Sequence, residues 1–283
     1  MSHAYLDYVK RLSACIREAE DLPLGGFAPC THAKPASDAP RALLFAPHPD
    51  DECIIGLLPL RLMRESGWRI VNVPVTHGSN PLRQAERHQE LADACAFLGW
   101  DLLPLEVSVG PAPYPGLDLP AILRVLQSHS PSAIFMPHAR DWNSRHLSTH
   151  RLVMDALAQM PSDFTCAVLE TEFWGAMDDP NLMVEANDLL LADLVAATSF
   201  HVKEVERNPY HRLLPAWMLD NVRRGAELVG GQGHVVPDFL YATLYRLSHW
   251  QQGRLLPSPG VGRMLPCQDN PSEALHGNQT GTM

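Results

Sequence analysis

The chain has 283 residues and a formal net charge of −10 at pH 7. A chain of this length can bury a full hydrophobic core, so one large domain is expected. The acidic balance argues against a nucleic-acid partner and provides no basic patch for anionic lipid, because phosphate binding needs clustered Lys and Arg. A neutral or cationic small molecule is therefore the expected class of ligand.

Cysteine spacing and hydropathy indicate the compartment. The six cysteines include no Cys-x-x-Cys pair, so a thiolate zinc site is not expected. The N-terminal residues lack the apolar core of a signal peptide, and no apolar run approaches the ~18 residues of a membrane span. These features predict a cytoplasmic protein without a membrane span, and they leave open whether it forms a homo-oligomer.

Hydrophobic periodicity predicts strands that alternate with helices along most of the chain. The predicted helices cover 4–20, 54–65, 82–98, 120–128, 146–160, 187–197 and 215–228, and the predicted strands cover 43–46, 68–75, 101–107, 133–136 and 166–174. Alternation at these lengths predicts an α/β fold in which a parallel sheet carries helices on both faces. Its strands then end at one common edge, where α/β proteins bind their ligands.

Composition divides the chain into three segments. Residues 1–40 hold the first helix and a Pro- and Gly-rich connecting loop, and residues 41–255 carry the alternating pattern. Residues 256–283 are rich in polar residues, Pro and Gly, and poor in apolar residues. A segment of this composition cannot bury enough apolar surface to fold, so a disordered tail is predicted.

A compact cluster of polar side chains follows the first predicted strand, in the sequence Ala-Pro-His-Pro-Asp-Asp-Glu of residues 46–52. His48 and Asp51, three residues apart across a strand-to-helix corner, can both face one metal ion. Asp50 between them stays free to accept a proton, which is the task of a general base. Glu52 is expected to support the site through hydrogen bonds.

A second polar cluster follows the fourth predicted strand. It runs from His138 to His150 and includes Asp141, Asn143 and His146. His146 and His150 are four residues apart and share one face of a predicted helix, and two histidines at this spacing can both bind zinc.

The two clusters resemble the motifs of the PIG-L/LmbE-type zinc deacetylases. Pro-His-Pro-Asp-Asp-Glu after a strand resembles the opening motif of that family, and an Asp followed by a His-x-x-His pair at a helix start is its second motif. The resemblance covers roughly residues 42–250 and implies that 41–255 form a deacetylase domain with a Rossmann-like fold. It further implies a metal site at the carboxyl edge of the sheet and removal of an acetyl group from an N-acetylglucosamine-type substrate.

The resemblance also implies a set of metal ligands. His48, Asp51 and His146 correspond to the ligand positions, with Zn²⁺ the expected ion and Fe²⁺ or another divalent ion an alternative. Alignment on Asp141 selects His146 as the third ligand. The Arg that follows His150 favours the alternative in which His150 is that ligand.

The catalytic residues implied by the resemblance include one departure from the family pattern. Asp50 corresponds to the general base. Asn143 stands where the family usually has a His thought to stabilise the oxyanion, and an amide can donate a hydrogen bond but cannot titrate. Asp50 would then have to return the proton to the leaving amine, unless His138 or His150 takes that role.

Three further residues are expected to contact the substrate. The resemblance places Arg87 against sugar hydroxyls and His211 near the rim of the site, and Trp142 could stack on a sugar ring. His77 is a candidate for the pocket wall, whereas Trp174 is expected in the core.

Two alternative functions remain compatible with the sequence. One is a related amidase that cleaves a larger N-acyl group or a thiol conjugate. The other is a catalytically weak, metal-dependent protein that binds an amino sugar, an alternative suggested by Asn143. Asp50 argues against the second alternative, because a binding protein needs no base.

Overall fold

The computed structural model describes residues 3–105, 118–258 and 262–275. Its strands are β1 Arg41–Ala46, β2 Arg69–Pro74, β3 Asp101–Leu102, β4 Ala133–Pro137, β5 Cys166–Thr171, β6 Leu182–Ala186, β7 Tyr241–Gln251, β8 Arg254–Pro257 and β9 Arg263–Leu265. Its helices are α1 Ala4–Glu18, α2 Asp51–Ile54, α3 Leu57–Ser66, α4 Gln84–Leu98, α5 Leu119–His129, α6 Ser144–Leu157, α7 Asp188–Ser199, α8 Val202–Arg207, α9 Tyr210–Gly230 and α10 Pro271–Leu275. Within these described residues, no helix combines the length and the apolar character that crossing a bilayer demands.

These strands form one mixed sheet in the order β3-β2-β1-β4-β5-β7-β6-β9, with β8 paired to β7. Neighbouring strands from β3 to β5 are parallel, whereas β7 is antiparallel to both β5 and β6. Side chains of β1 alternate between the two faces: Leu44 belongs to one buried cluster, and Leu43 and Phe45 belong to another. Apolar clusters on both faces confirm the predicted class, a Rossmann-like, mostly parallel sheet flanked by helices.

The order of the strands places a ligand-binding crevice beside β1. From β1 the chain continues to β2 and β3 on one side, and it later adds β4 and β5 on the other side. Ligands of open α/β sheets bind where the strand order reverses, outside the carboxyl ends of the strands. The first polar cluster follows β1 and the second follows β4, so the topology brings together two segments that are distant in the sequence.

One predicted helix, 54–65, is divided into α2 and α3. In a continuous helix the carbonyl of Ile55 would accept a hydrogen bond from residue 59, but Pro59 has no N–H. The Tyr245 hydroxyl instead donates to the Ile55 carbonyl (2.6 Å) and accepts the N–H of Leu58 (3.1 Å). A side chain of β7 thus satisfies the backbone groups at the break, which local periodicity cannot reveal.

The prediction of a disordered tail is wrong for residues 256–257, which belong to β8, and for residues 262–275. β9 pairs in parallel with β6, α10 packs against α3, and Leu275 is buried. The buried Arg61 guanidinium donates to three backbone carbonyls of this segment, those of Leu265, Pro266 and Asp269. These bonds come from a distant helix, so the composition of the segment does not reveal them. The predicted tail at 259–261 and 276–283 lies outside the described residues.

Smaller differences concern elements that periodicity missed or misplaced. β6 was not predicted, and its pairing partners, β7 and β9, both come from the C-terminal part of the chain. α8 and the start of α9 lie between the predicted helices 187–197 and 215–228, where no element was predicted. The predicted strand 101–107 reduces to Asp101–Leu102 among the described residues, and positions 106–107 lie outside them.

Replacing Arg61 with Met is expected to lower the free energy of unfolding by about 2–4 kcal/mol, because three backbone carbonyls lose their charged donor. The C-terminal segment 262–275 should then become the first site of limited proteolysis. Denaturant unfolding and protease mapping measure both effects. The matched control is Arg69→Met, which breaks only a surface ion pair with Asp101 and should cost less than about 1 kcal/mol. Equal losses in the two variants would contradict the role of Arg61.

Candidate active site

Three potential metal ligands meet at the carboxyl ends of β1 and β4. The ligand atoms of His48, Asp51 and His146 all lie within 4.8 Å of one another. Asp51 Oδ2 is 3.4 Å from His48 Nδ1 and 3.4 Å from His146 Nε2. Asp51 Oδ1 and His146 Nε2 are buried and make no hydrogen bond with any described residue. Such orphaned atoms are costly unless another group engages them, so this donor set fits a divalent metal ion.

The His146 ring is oriented by two neighbours. Asp141 Oδ2 lies 3.3 Å from His146 Nδ1, the arrangement by which a carboxylate commonly fixes a ligating imidazole. On its face, the ring stacks on Phe173 with 5.5 Å between centroids and 15° between planes. Burial lowers the pKa of His146, but Asp51 and Asp141 outweigh burial and raise the pKa to about 9. Without metal, the imidazolium therefore neutralises the adjacent carboxylates.

Metal binding is expected to release about one proton near pH 7. With its pKa at about 9, the His146 ring is protonated there, and only the neutral imidazole can bind a metal. Affinity for Zn²⁺ should therefore rise about tenfold per pH unit up to the pKa and gain no more from this ring above it. Calorimetric titrations in buffers of different ionisation enthalpy count the released protons. A count near zero would contradict this arrangement.

Asp50 lies beside the three ligands in an unusual backbone conformation. Its φ is 115°, in a region that non-glycine residues rarely adopt, and such strain persists only where the surroundings hold it. Glu52 holds it here, because Glu52 Oε2 accepts the Asp50 backbone N–H at 2.9 Å. The Asp50 carboxyl is buried next to Asp51 and Glu52, and burial followed by these two charges raises its pKa well above its ordinary value.

Glu52 is itself supported by a buried hydrogen-bond network. Its Oε1 lies 2.7 Å from His201 Nε2 and 3.2 Å from the Cys53 sulfur. These three residues are close enough to hold an ion, but burial and the nearby Glu52 charge raise the pKa of Cys53 well above its ordinary value. The Cys53 thiol donates to Glu52, so the group supports the carboxylate that holds the Asp50 backbone.

A cavity of about 720 Å³ opens beside Asp50 and His48. One wall comes from the segment after β2 and the start of α4, and it includes the predicted His77 and Arg87. Opposite elements contribute further residues, namely Asn143, Ser144, Arg145, Phe173, Trp174, Glu204, Arg207 and Tyr210. The position of Asp50 at this cavity makes it the carboxyl group best placed to exchange a proton with a bound molecule.

Asn143 lines the cavity as the N-cap of α6. Its Oδ1 accepts the backbone N–H of Arg145 at 2.9 Å, and its own backbone N–H donates to Asp141 at 2.8 Å. Asn is a preferred N-cap residue, so this residue both starts the helix that carries His146 and faces the cavity. With Oδ1 engaged, the side-chain NH₂ group remains to donate to a ligand.

Neither His138 nor His150 reaches the cavity. His150 Nδ1 lies 2.9 Å from the Pro137 carbonyl and 3.6 Å from Glu170 Oε1, and His138 Nε2 lies 2.8 Å from the Gly175 carbonyl. Both rings are thus engaged with the ends of β4 and β5 and the following loop. The expectation that one of them protonates a leaving group is not supported by this placement. The alternative third ligand, His150, also lies outside the ligand cluster.

Two of the residues predicted to contact the substrate, Trp142 and His211, do not line the cavity, whereas a residue that contacts or precedes each of them does. Trp142 is 68% exposed and does not line the cavity, and its indole N–H donates to the Trp174 carbonyl. Trp174, expected in the core, lines the cavity instead. His211 is buried on α9, while Tyr210 before it faces the cavity. Successive residues of a helix point about 100° apart, so a residue next to one that faces the cavity can be buried in the interior.

Glu204 and two arginines that line the cavity, Arg83 and Arg207, were not predicted as site residues. Arg83 is the N-cap residue of α4, and the charged residues around it are typical of a solvated helix face. Glu204 and Arg207 lie on α8, in a region where periodicity predicts no element. No local signal distinguishes these residues from surface charges.

Comparison with known proteins supports the fold and the family. Residues 43–157, which include all three potential metal ligands, match the family model described as GlcNAc-PI de-N-acetylase (PIG-L). No curated protein matches the chain significantly.

Among solved structures, the N,N'-diacetylchitobiose deacetylase from Pyrococcus horikoshii is 16% identical, with 87% of this chain and 93% of that chain covered and a TM-score of 0.53. The conserved protein TT1542 from Thermus thermophilus is 19% identical, with coverages of 72% and 92% and a TM-score of 0.54.

GalB, the 4-carboxy-2-hydroxymuconate hydratase from Pseudomonas putida, is similar to the same degree. It is 15% identical, with 74% of this chain and 95% of that chain covered and a TM-score of 0.54. A deacetylase and a hydratase thus share this fold, so the likeness shows the fold and not the reaction. Over residues 43–157 the chain is therefore similar to the GlcNAc-PI de-N-acetylase (PIG-L) family, and its fold is that of the chitobiose deacetylase.

Proposed function

We propose that the protein is a divalent-metal-dependent hydrolase that removes an acetyl group from an N-acetylglucosamine-type substrate. The observation that carries the proposal is the placement of Asp50 at the cavity, directly beside the cluster of His48, Asp51 and His146. Two imidazoles and one carboxylate leave coordination positions open, which is typical of catalytic rather than structural zinc. The family match over residues 43–157 supports the same reaction class.

The reaction needs a proton to move from water to the leaving amine. A zinc or similar ion held by the three ligands would polarise the amide carbonyl and make an attacking water more acidic. Asp50 accepts the proton of that water as the water oxygen bonds to the carbonyl carbon. The amide C–N bond then breaks, and Asp50 returns the proton to the amine, leaving acetate and a free amino sugar.

Two features of this chain fit Asp50 to both proton transfers. Burial and the adjacent charges raise the pKa of Asp50 and favour its protonated form, so it can hold a proton between the two steps. The NH₂ group of Asn143 is left to donate to the developing oxyanion. Neither His138 nor His150 lines the cavity, so Asp50 carries the whole proton transfer.

The volume of the cavity allows a substrate larger than a single acetylated sugar. At about 720 Å³ it lies in the upper half of the ~300–1,000 Å³ typical of small-molecule sites. An acetamido sugar alone does not fill this space. A conjugated substrate, or a larger acyl group as in a related amidase, therefore has room.

The test combines metal analysis with release of amine and acetate. Anaerobically purified protein should carry about one equivalent of zinc or iron and should release both products, in equal amounts, from N-acetylglucosamine derivatives. Propionyl and butyryl analogues identify the related amidase, which would prefer them. Metal-loaded protein that binds these sugars and hydrolyses none of them would instead favour the catalytically weak binding protein.

A further inference from the structure

The cavity carries an unexpected charge for an acidic protein. The chain has a net charge of −10, yet the described residues that line the cavity include four arginines, Arg83, Arg87, Arg145 and Arg207, and two carboxylates, Asp50 and Glu204. The local charge therefore favours an anionic ligand, whereas the overall charge favours a neutral or cationic one. The electrostatic potential in a pocket is set mainly by the charged groups within a Debye length of it.

Three of these arginines converge on one buried carboxylate. Glu204, on α8, is 4% exposed, and it accepts hydrogen bonds from Arg83 at 3.1 Å and from Arg207 at 2.6 Å. Arg87 Nε lies 3.8 Å from the same carboxylate. One negative charge cannot neutralise three guanidinium groups. The only other described ion-pair partner of this group, Glu86, is largely exposed and 3.5 Å from Arg83, so positive charge remains at the cavity.

Two N–H groups of this cluster are buried and unsatisfied. Arg83 Nη2 and Arg87 Nε have no hydrogen-bond partner among the described residues. Arg87 is held in place because its Nη2 donates to the Pro49 carbonyl at 3.1 Å, in the loop that also carries His48 and Asp50. Guanidinium donors fixed in this way match the two oxygens of a carboxylate or two oxygens of a phosphate.

We propose that Arg83, Arg87 and Arg207, organised by Glu204, form a binding site for an anionic group of the substrate. The inference rests on the proposed function, and it narrows the substrate class to an N-acylated amino sugar joined to a carboxylate or phosphate ester. The amide lies at Asp50, and the acidic group lies against the arginine cluster in the same cavity. The spare cavity volume holds the part of the substrate that bears the charge.

The kinetic test compares neutral and acidic substrates. Amine release is measured for N-acetylglucosamine, N-acetylglucosamine 1-phosphate and N-acetylmuramic acid, which carry no charge, a phosphate and a carboxylate. Wild type should prefer one acidic substrate over the neutral one by at least about tenfold in kcat/KM. The identity of the preferred substrate shows whether the site recognises a phosphate or a carboxylate. Arg83→Met should reduce that preference about 10- to 100-fold, and Arg83→Lys should restore part of it.

Two further variants control for folding and for general charge. Arg207 is 68% exposed on its side chain, so Arg207→Met tests the cluster without burying a new group. Arg223→Met removes an exposed arginine of α9, paired with Asp220 and absent from the cavity, and should leave the preference unchanged. Equal use of neutral and acidic substrates by wild type would overturn the inference while the proposed hydrolase stands.

A binding measurement separates failure of the inference from failure of the proposed function. Calorimetry measures inorganic phosphate and malonate binding to metal-loaded wild type, Arg83→Met and Arg207→Met. Binding that is weakened in both variants supports the anion site even if no substrate is hydrolysed, in which case only the proposed reaction fails. Binding that survives in both variants belongs to the metal ion and overturns the inference. No binding and no acidic preference overturns it as well.

Discussion

Asp51→Ala and His146→Ala proteins are expected to lose their metal and at least about 10³-fold in kcat/KM, because loss of one of three ligands removes the ion that activates carbonyl and water. The two residues share one contact, Asp51 Oδ2 to His146 Nε2 at 3.4 Å, so either substitution breaks the same cluster. Elemental analysis measures the metal, and amine release measures the activity.

His150→Ala provides the matched control for the loss of metal. His150 lies one turn beyond His146 on α6, yet it contacts the Pro137 carbonyl rather than the cluster. The variant should therefore keep about one equivalent of metal. The reverse result, loss of metal in His150→Ala and retention in His146→Ala, would show that the third ligand is wrongly assigned.

Asp50→Asn is expected to keep the metal and to lose about 10²- to 10⁴-fold in kcat, because an amide of the same shape cannot accept the proton of the attacking water. KM should change little, since the cavity keeps its shape. Steady-state amine release, together with elemental analysis of the same sample, measures both quantities.

The pH dependence of wild type supplies a second check on Asp50. A general base acts in its ionised form, so kcat/KM should be high above the pKa of Asp50 and should fall as the pH drops through it. The variant should lack this acid limb, apart from any loss of metal at low pH, which is measured separately. An Asp50→Asn protein with wild-type kcat would remove Asp50 from the mechanism.

Local sequence was sufficient for the first half of the site. His48, Asp50 and Asp51 lie within four residues after a buried strand, so the strand-to-helix corner places them together whatever the rest of the chain does. The alternation of strands and helices was likewise sufficient for the parallel sheet, because both periodicities are local. These two facts together predict that the site lies at the carboxyl edge of the sheet.

The identity of the third ligand required the folded chain. The sequence left His146 and His150 as alternatives, since both lie on one helix face. Asn143 begins α6 next to the end of β4, and this start brings the first-turn histidine, His146, to Asp51. The cavity is lined by Trp174 and Tyr210 instead of Trp142 and His211 for the same reason. Which of these side chains faces the cavity depends on the residue at which a loop ends or a helix begins.

The charge of the cavity and the order of the C-terminal segment depend on contacts between distant residues. Glu204 meets Arg83 across a large sequence separation, and Arg61 meets the carbonyls of 262–275 across a larger one. Periodicity reports which face of an element is apolar, but it contains no information about which polar groups face each other across elements. Those pairings are set by the order of the strands and by the packing of helices on the sheet. They explain how a chain with a net negative charge can enclose a cavity with a positive local charge.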